Sequence, residues 1–101
     1  MSLISALIKK ESIRNQKMIS EYEKELESLP KGSIKTKVIG NNCYYYLNYR
    51  DGKKVVSKYI GKDENNIEFI KDQLAKRHHI ELMIKHLKSE QLQIKKLEAI
   101  L

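Results

Sequence analysis

Lys31, Lys35, Lys37, Arg50, Lys53, Lys54, Lys58 and Lys62 share the middle of the chain with Tyr44, Tyr45, Tyr46, Tyr49 and Tyr59, and Asp51 is the only acid among them. The acids and bases before Pro30 cancel, as do those from Asp63 onward, so the whole formal charge of +7 resides in this tyrosine-rich stretch. The chemistry available to such residues is recognition of a polyanion. Ammonium groups neutralise phosphates, and phenol rings offer stacking faces or hydroxyl donors. Ordinary solvated faces mix both signs, as the flanking segments do. Nucleic acid is therefore the expected partner, with DNA as the expected form. Only Arg14, Arg50 and Arg77 carry guanidinium groups among the 20 basic residues, which favours phosphate affinity over base reading.

Bond-making chemistry has no comparable support. There is no Gly-rich phosphate loop, no His-Glu-x-x-His and no Ser/His/Asp spacing that would recommend a nucleophile. Cys43 falls in an expected strand, where a small buried residue is its ordinary role. His78 and His79 diverge by about 100° on a helix, and the seven-residue step from His79 to His86 is about 10 Å, too far for one ion. No catalytic residue, metal or cofactor is expected, and the protein is read as a non-enzyme.

Three strands must carry the basic residues. Around Ser33–Gly61 the apolar period is two: Ile34, Thr36 and Val38 alternate with Lys35, Lys37 and Ile39; Cys43, Tyr45, Leu47 and Tyr49 alternate with Tyr44, Tyr46 and Asn48; Val55, Ser57 and Tyr59 alternate with Val56, Lys58 and Ile60. Gly40-Asn41-Asn42 and Arg50-Asp51-Gly52-Lys53 supply the turns, Asp-Gly being a strong hairpin signal. The result is a three-stranded antiparallel meander over 33–61. Its pleat is expected to direct Lys35, Lys37, Lys54 and Lys58 outward with Tyr44 and Tyr46, and to keep Tyr45 and Tyr49 beside Leu47 on the core side. Arg50 and Lys53 would flank the hairpin tip, with Lys62 just beyond the third strand. Lys35, Lys37, Tyr44, Tyr46, Arg50, Lys53, Lys54, Lys58 and Lys62 are the candidate nucleic-acid contacts.

Helices flank the meander. Ile4, Leu7, Ile8, Met18, Ile19, Tyr22, Leu26 and Leu29 recur at helical steps over 2–29, thinly between Lys9 and Lys17, where Ile13 is the sole apolar residue. Pro30 ends this helix and Gly32 makes the turn. Asp63 is a fitting N-cap for a helical segment over 63–101, which no proline or glycine interrupts. It can be one helix or two, with a bend near Ala75–His79. A heptad can be written through Ile80, Ile84, Leu87, Gln91, Ile94, Leu97 or Glu98, and Leu101. As one helix it would extend roughly 55 Å, far past the sheet. Its stripe must be covered by the N-terminal helix, a second copy, or both. Ile80, Ile84, Leu87, Ile94, Leu97 and Leu101 are the candidate interface of a homodimer.

The fold class is thus α+β: long N-terminal helix, meander, long coiled-coil-like C-terminal segment, within one domain over 1–101. A chain of 101 residues buries only roughly 60–65% of its unfolded surface, which leaves little room for an enclosed substrate pocket. One cysteine cannot form an internal disulfide. No run approaches a membrane span, and the basic residues follow the apolar start instead of preceding it, so a cytoplasmic location without membrane contact is expected.

Leu29-Pro30-Lys31-Gly32-Ser33, the run Tyr44–Lys53 and Ser57-Lys58-Tyr59-Ile60-Gly61-Lys62 resemble small bacterial and mobile-element proteins in which a tyrosine-rich meander sits between charged helices. More distantly, the Tyr-Tyr, Asp-Gly-Lys and basic third-strand pattern is similar to the arm-type DNA-binding domain of tyrosine recombinases. That likeness covers about a third of the chain. It implies a three-stranded sheet that enters the major groove of DNA. An alternative class is a protein-interaction module or small phage-type inhibitor, whose helices form a coiled-coil interface and whose basic sheet meets an acidic protein.

Overall fold

The computed structural model describes residues 2–101 and orders them as α1 (Leu3–Glu27), β1 (Ser33–Ile39), β2 (Asn42–Asp51), β3 (Lys54–Gly61) and α2 (Glu64–Ile100). The arrangement is α+β, and α2 is one helix of 37 residues. Packing divides the chain into two compact units: the chain up to Ser28 with His79–Leu101, and Leu29–His78.

The helical unit begins at a capped end. Ser2 is the N-cap of α1, its hydroxyl accepting from the Ser5 amide at 3.1 Å, which satisfies one of the unpaired amides of the first turn. Asn15 Nδ2 donates to the Leu87 carbonyl at 3.1 Å and Gln91 Nε2 to the Ser12 hydroxyl at 3.2 Å. Contact order reverses between the two helices, so they pair antiparallel. Ile80, Ile84 and Leu87 are buried between them, each worth about 1.5–3 kcal/mol relative to exposure. The expectation that these three present themselves to a second copy is corrected: α1 of the same chain already covers them, because its own stripe follows the matching four- and three-residue steps Ile8, Ser12, Asn15, Ile19, Tyr22 and Leu26. Ile94 is half-buried on the same line, while Leu97 and Leu101 are exposed. The thin part of the α1 stripe is also reassigned. Ile13 is 61% exposed, and its expected place is taken by Ser12 and Asn15, which form a buried polar layer with Gln91.

The sheet unit is a meander in the order β1-β2-β3. Asp51 pairs with Lys54, so the β2–β3 loop is Gly52-Lys53. This shifts the turn one residue from the expected Asp-Gly centre. Positive φ is needed only at Gly52 (63°), as in a type II′ turn, whose first central residue is glycine; Gly40-Asn41 repeats that geometry between Ile39 and Asn42. Leu47, buried, sits at the centre of one sheet face, and Ile67, 2% exposed, anchors the first turns of α2 within this unit. Tyr45 lines a depression with Glu64, Ile67, Glu68 and Lys71, which puts it on the Leu47 side. Asp63 caps α2, its carboxylate accepting from the Asn65 amide at 3.0 Å, and Arg77 Nη1 donates to the Leu29 carbonyl at 3.2 Å. Cys43, expected to be buried, is exposed, as is its cross-strand partner Val38. Both lie toward the tip of the β1–β2 hairpin, where residues 37–43 are all exposed.

Candidate nucleic-acid interface

Directly paired residues of an antiparallel ladder share a face. The pairs Lys35↔Tyr46, Lys37↔Tyr44, Tyr46↔Tyr59, Asn48↔Ser57 and Arg50↔Val55 therefore place Lys35, Lys37, Tyr44, Tyr46, Arg50 and Tyr59 on the face opposite Leu47. No carboxylate stands among the strand residues of this face. Two of the expected cations do not join it. Lys58 pairs with Leu47 and Lys54 with Asp51, so both belong to the Leu47 face, at its exposed edge strand. The expectation of an outward direction for Lys54 and Lys58 is corrected accordingly; the pleat of β3 is phased by its pairing with β2, which puts Tyr59 where a third outward lysine was sought. Lys53 is exposed in the turn.

Tyr59 is the residue missed. It is 50% exposed and meets both outward tyrosines, with ring centroids 5.4 Å from Tyr46 at 56° and 6.3 Å from Tyr44 at 49°. Its alternation with Lys58 was visible in the sequence, but the pairing phase was not.

A bulge completes the arrangement. Tyr46 pairs with Tyr59 while Tyr45 pairs with Gly61, leaving Ile60 unopposed. The Ile60 carbonyl accepts from Asn66 Nδ2 at 3.3 Å. The extra residue advances the chain by one position and so reverses the face on which the next side chain emerges. Without it Lys62 would fall opposite Cys43, on the Leu47 side. With it, Lys62 Nζ stands 4.6 Å from the centroid of the Tyr44 ring, a cation–π distance. Lys35 and Lys37 from β1 and Lys62 from beyond β3 thus bracket three tyrosines. On the other face Lys31 Nζ lies 5.9 Å from the Tyr49 ring.

Gly32 fixes the entry into β1. Its φ is 111°, and a Cβ there would lie 2.2 Å from the Asn48 carbonyl oxygen. Only glycine allows the chain to pass this close to β2. An open depression beside that crossing is lined by Lys35, Lys37, Tyr46, Asn48 and Ser57. The buried Oδ1 of Asn48 has no hydrogen-bond donor from the described protein.

The histidines lie elsewhere. His78, His79 and His86 are exposed on α2, and His86 Nε2 is 3.2 Å from Glu90. Among the described residues no three His, Cys, Asp or Glu side chains are grouped to hold a metal ion, and no helix is long and apolar enough to cross a membrane.

Searches of curated proteins and of solved structures return no match to the chain, and the likeness to recombinase arm domains gains no support from them. One family model does match, over residues 8–68, which takes in most of α1, the whole meander and the start of α2. The chain belongs to the family described as a domain of unknown function, DUF6788.

Proposed function

We propose that this protein is a non-enzymatic nucleic-acid-binding protein whose contact surface is the outward face of its meander. The observation that carries the reading is the bracketing of Tyr44, Tyr46 and Tyr59 by Lys35, Lys37 and Lys62 on a strand face without carboxylates. Lysines there neutralise phosphates, and the uncompensated charge of the segment adds long-range attraction. Four cations, Lys35, Lys37, Arg50 and Lys62, are placed to reach a backbone. With one phosphate each, log K should fall against log salt with a slope of about −3 to −4. Fluorescence anisotropy with a labelled random-sequence oligonucleotide measures this directly. Replacing Lys35, Lys37 and Lys62 with glutamine should remove most of the affinity without unfolding the chain. Absence of binding at ~50 mM salt refutes the proposal.

A second reading, a protein-interaction module that includes self-association, is favoured by one observation. Leu7, Leu92 and Ile100 of the helical unit are more than half exposed although Ile80, Ile84 and Leu87 are covered. Sedimentation equilibrium tests it. A dimer at ~100 µM supports a second copy as partner, and a monomer refutes self-association.

A further inference from the structure

We infer that the nucleic acid taken by this face is single-stranded, laid across the three strands with its bases stacked on Tyr46 and Tyr59. The inference rests on the nucleic-acid reading above and specifies the form of its ligand.

The geometry of the rings carries it. Tyr59 meets Tyr44 and Tyr46 at interplanar angles of 49° and 56°, so the contacts are tilted and no two of these rings are stacked in parallel. Tyr44 is the exception in a different sense, because Lys62 Nζ occupies the space over its ring. That pair holds a cation at one border of the platform and leaves Tyr46 and Tyr59 as the available stacking surfaces. Every base has a π-face, so stacking tolerates any sequence. A duplex hides those faces within its own stack and would leave the tyrosines against its sugars and phosphates.

Position and width agree with this. Tyr46 is on the central strand and Tyr59 on its neighbour, while Lys35 and Lys37 stand on the opposite neighbour. Adjacent strands are about 4.8 Å apart, so the sheet is about 10 Å across between its outer strands. That matches one strand with its bases over the tyrosines and its phosphates toward the lysines. The depression between Lys35, Tyr46, Asn48 and Ser57 lies next to the platform. Scarcity of arginine accords with stacking plus charge as the basis of affinity.

The chain has no tryptophan, so its intrinsic fluorescence comes from tyrosine and reports stacking without a label. The test titrates the full chain with a 12-nucleotide dT strand, the corresponding rU strand, and a 12-base-pair mixed-sequence duplex at ~100 mM salt. The single strands are expected to bind at least about tenfold more tightly than the duplex and to quench tyrosine emission. Preference for rU over dT would assign the site to RNA, and equal binding to either backbone. Tyr46→Ala and Tyr59→Ala should each weaken single-strand binding about tenfold with the salt slope unchanged, whereas Lys35→Gln with Lys37→Gln should reduce the slope by about 1.4. Tyr46→Phe with Tyr59→Phe retains the rings and should bind like the parent, which separates stacking from loss of fold. Duplex binding equal to or tighter than single-strand binding, or loss of binding in the Phe variant, overturns the inference and leaves the nucleic-acid reading intact. Binding to neither, with tight binding to poly-glutamate, overturns both.

Discussion

Replacing Gly32 with alanine should unfold the sheet unit more severely than any other single methyl group added to its turns. A Cβ at this position would stand 2.2 Å from the Asn48 carbonyl oxygen and 2.9 Å from both the Asn48 carbonyl carbon and the Tyr49 Cβ. Ordinary carbon–oxygen contacts are about 3.3 Å, so β1 or β2 must retreat by about 1 Å. Neither is a flexible side-chain end; both are ladder backbone, joined through the pair Ser33↔Asn48. A φ of 111° held by alanine costs about 1–3 kcal/mol, and losing a partner for a buried ladder group costs about 1–3 kcal/mol more. The combined loss of about 2–6 kcal/mol compares with a total stability of about 5–15 kcal/mol. It should lower Tm by at least ~10 °C, followed by far-UV circular dichroism. Gly52→Ala is the internal control. Its φ is 63° with open space around the added atom, so it should cost only about 1–2 kcal/mol. A Gly32→Ala variant that melts no lower than Gly52→Ala would refute the argument from close approach. Because Asn48 neighbours Tyr46 on the outward face, the same variant should also lose oligonucleotide binding.

The helical unit yields further expectations. Ser12→Ala, Asn15→Leu and Gln91→Leu together should raise stability by about 2–4 kcal/mol in urea unfolding. Asn15 Oδ1 and Gln91 Oε1 are buried without protein donors, and apolar replacements of a whole buried polar cluster are commonly neutral to stabilising; a fall in midpoint would show the layer to be stabilising. Ile84→Glu should cost at least ~3 kcal/mol by burying an unpaired charge at a site 8% exposed, and a wild-type thermal midpoint would mean that α1 does not cover that position. For Lys88 and Glu23, 3.4 Å apart but both exposed, Lys88→Ala should change stability by no more than about 1 kcal/mol.

Local signals in the sequence determined a great deal. Pro30, Asp63 and the switch of apolar period from four-and-three to two set the element order, since each acts within a few residues of itself. The concentration of lysine and tyrosine between Lys31 and Lys62 likewise needed no fold to be seen. Which of those residues share a surface was another matter. Alternation divides a strand into two sets but does not phase one strand against the next, so Lys54 and Lys58 went to the Leu47 face and Tyr59 to the tyrosine face only through the register of β3 on β2. The bulge at Ile60 then moved Lys62 across the sheet to Tyr44, a reversal that one unopposed residue makes and that no local pattern records. The same holds for the helices. The heptad through Ile80, Ile84 and Leu87 required an apolar partner, but whether that partner was a second copy or α1 depended on contacts between segments more than sixty residues apart, where Ser12 and Asn15 meet Gln91 and Leu87. Tertiary packing selected α1 because a partner already tethered in the same chain forms that interface without the entropy of bringing two molecules together.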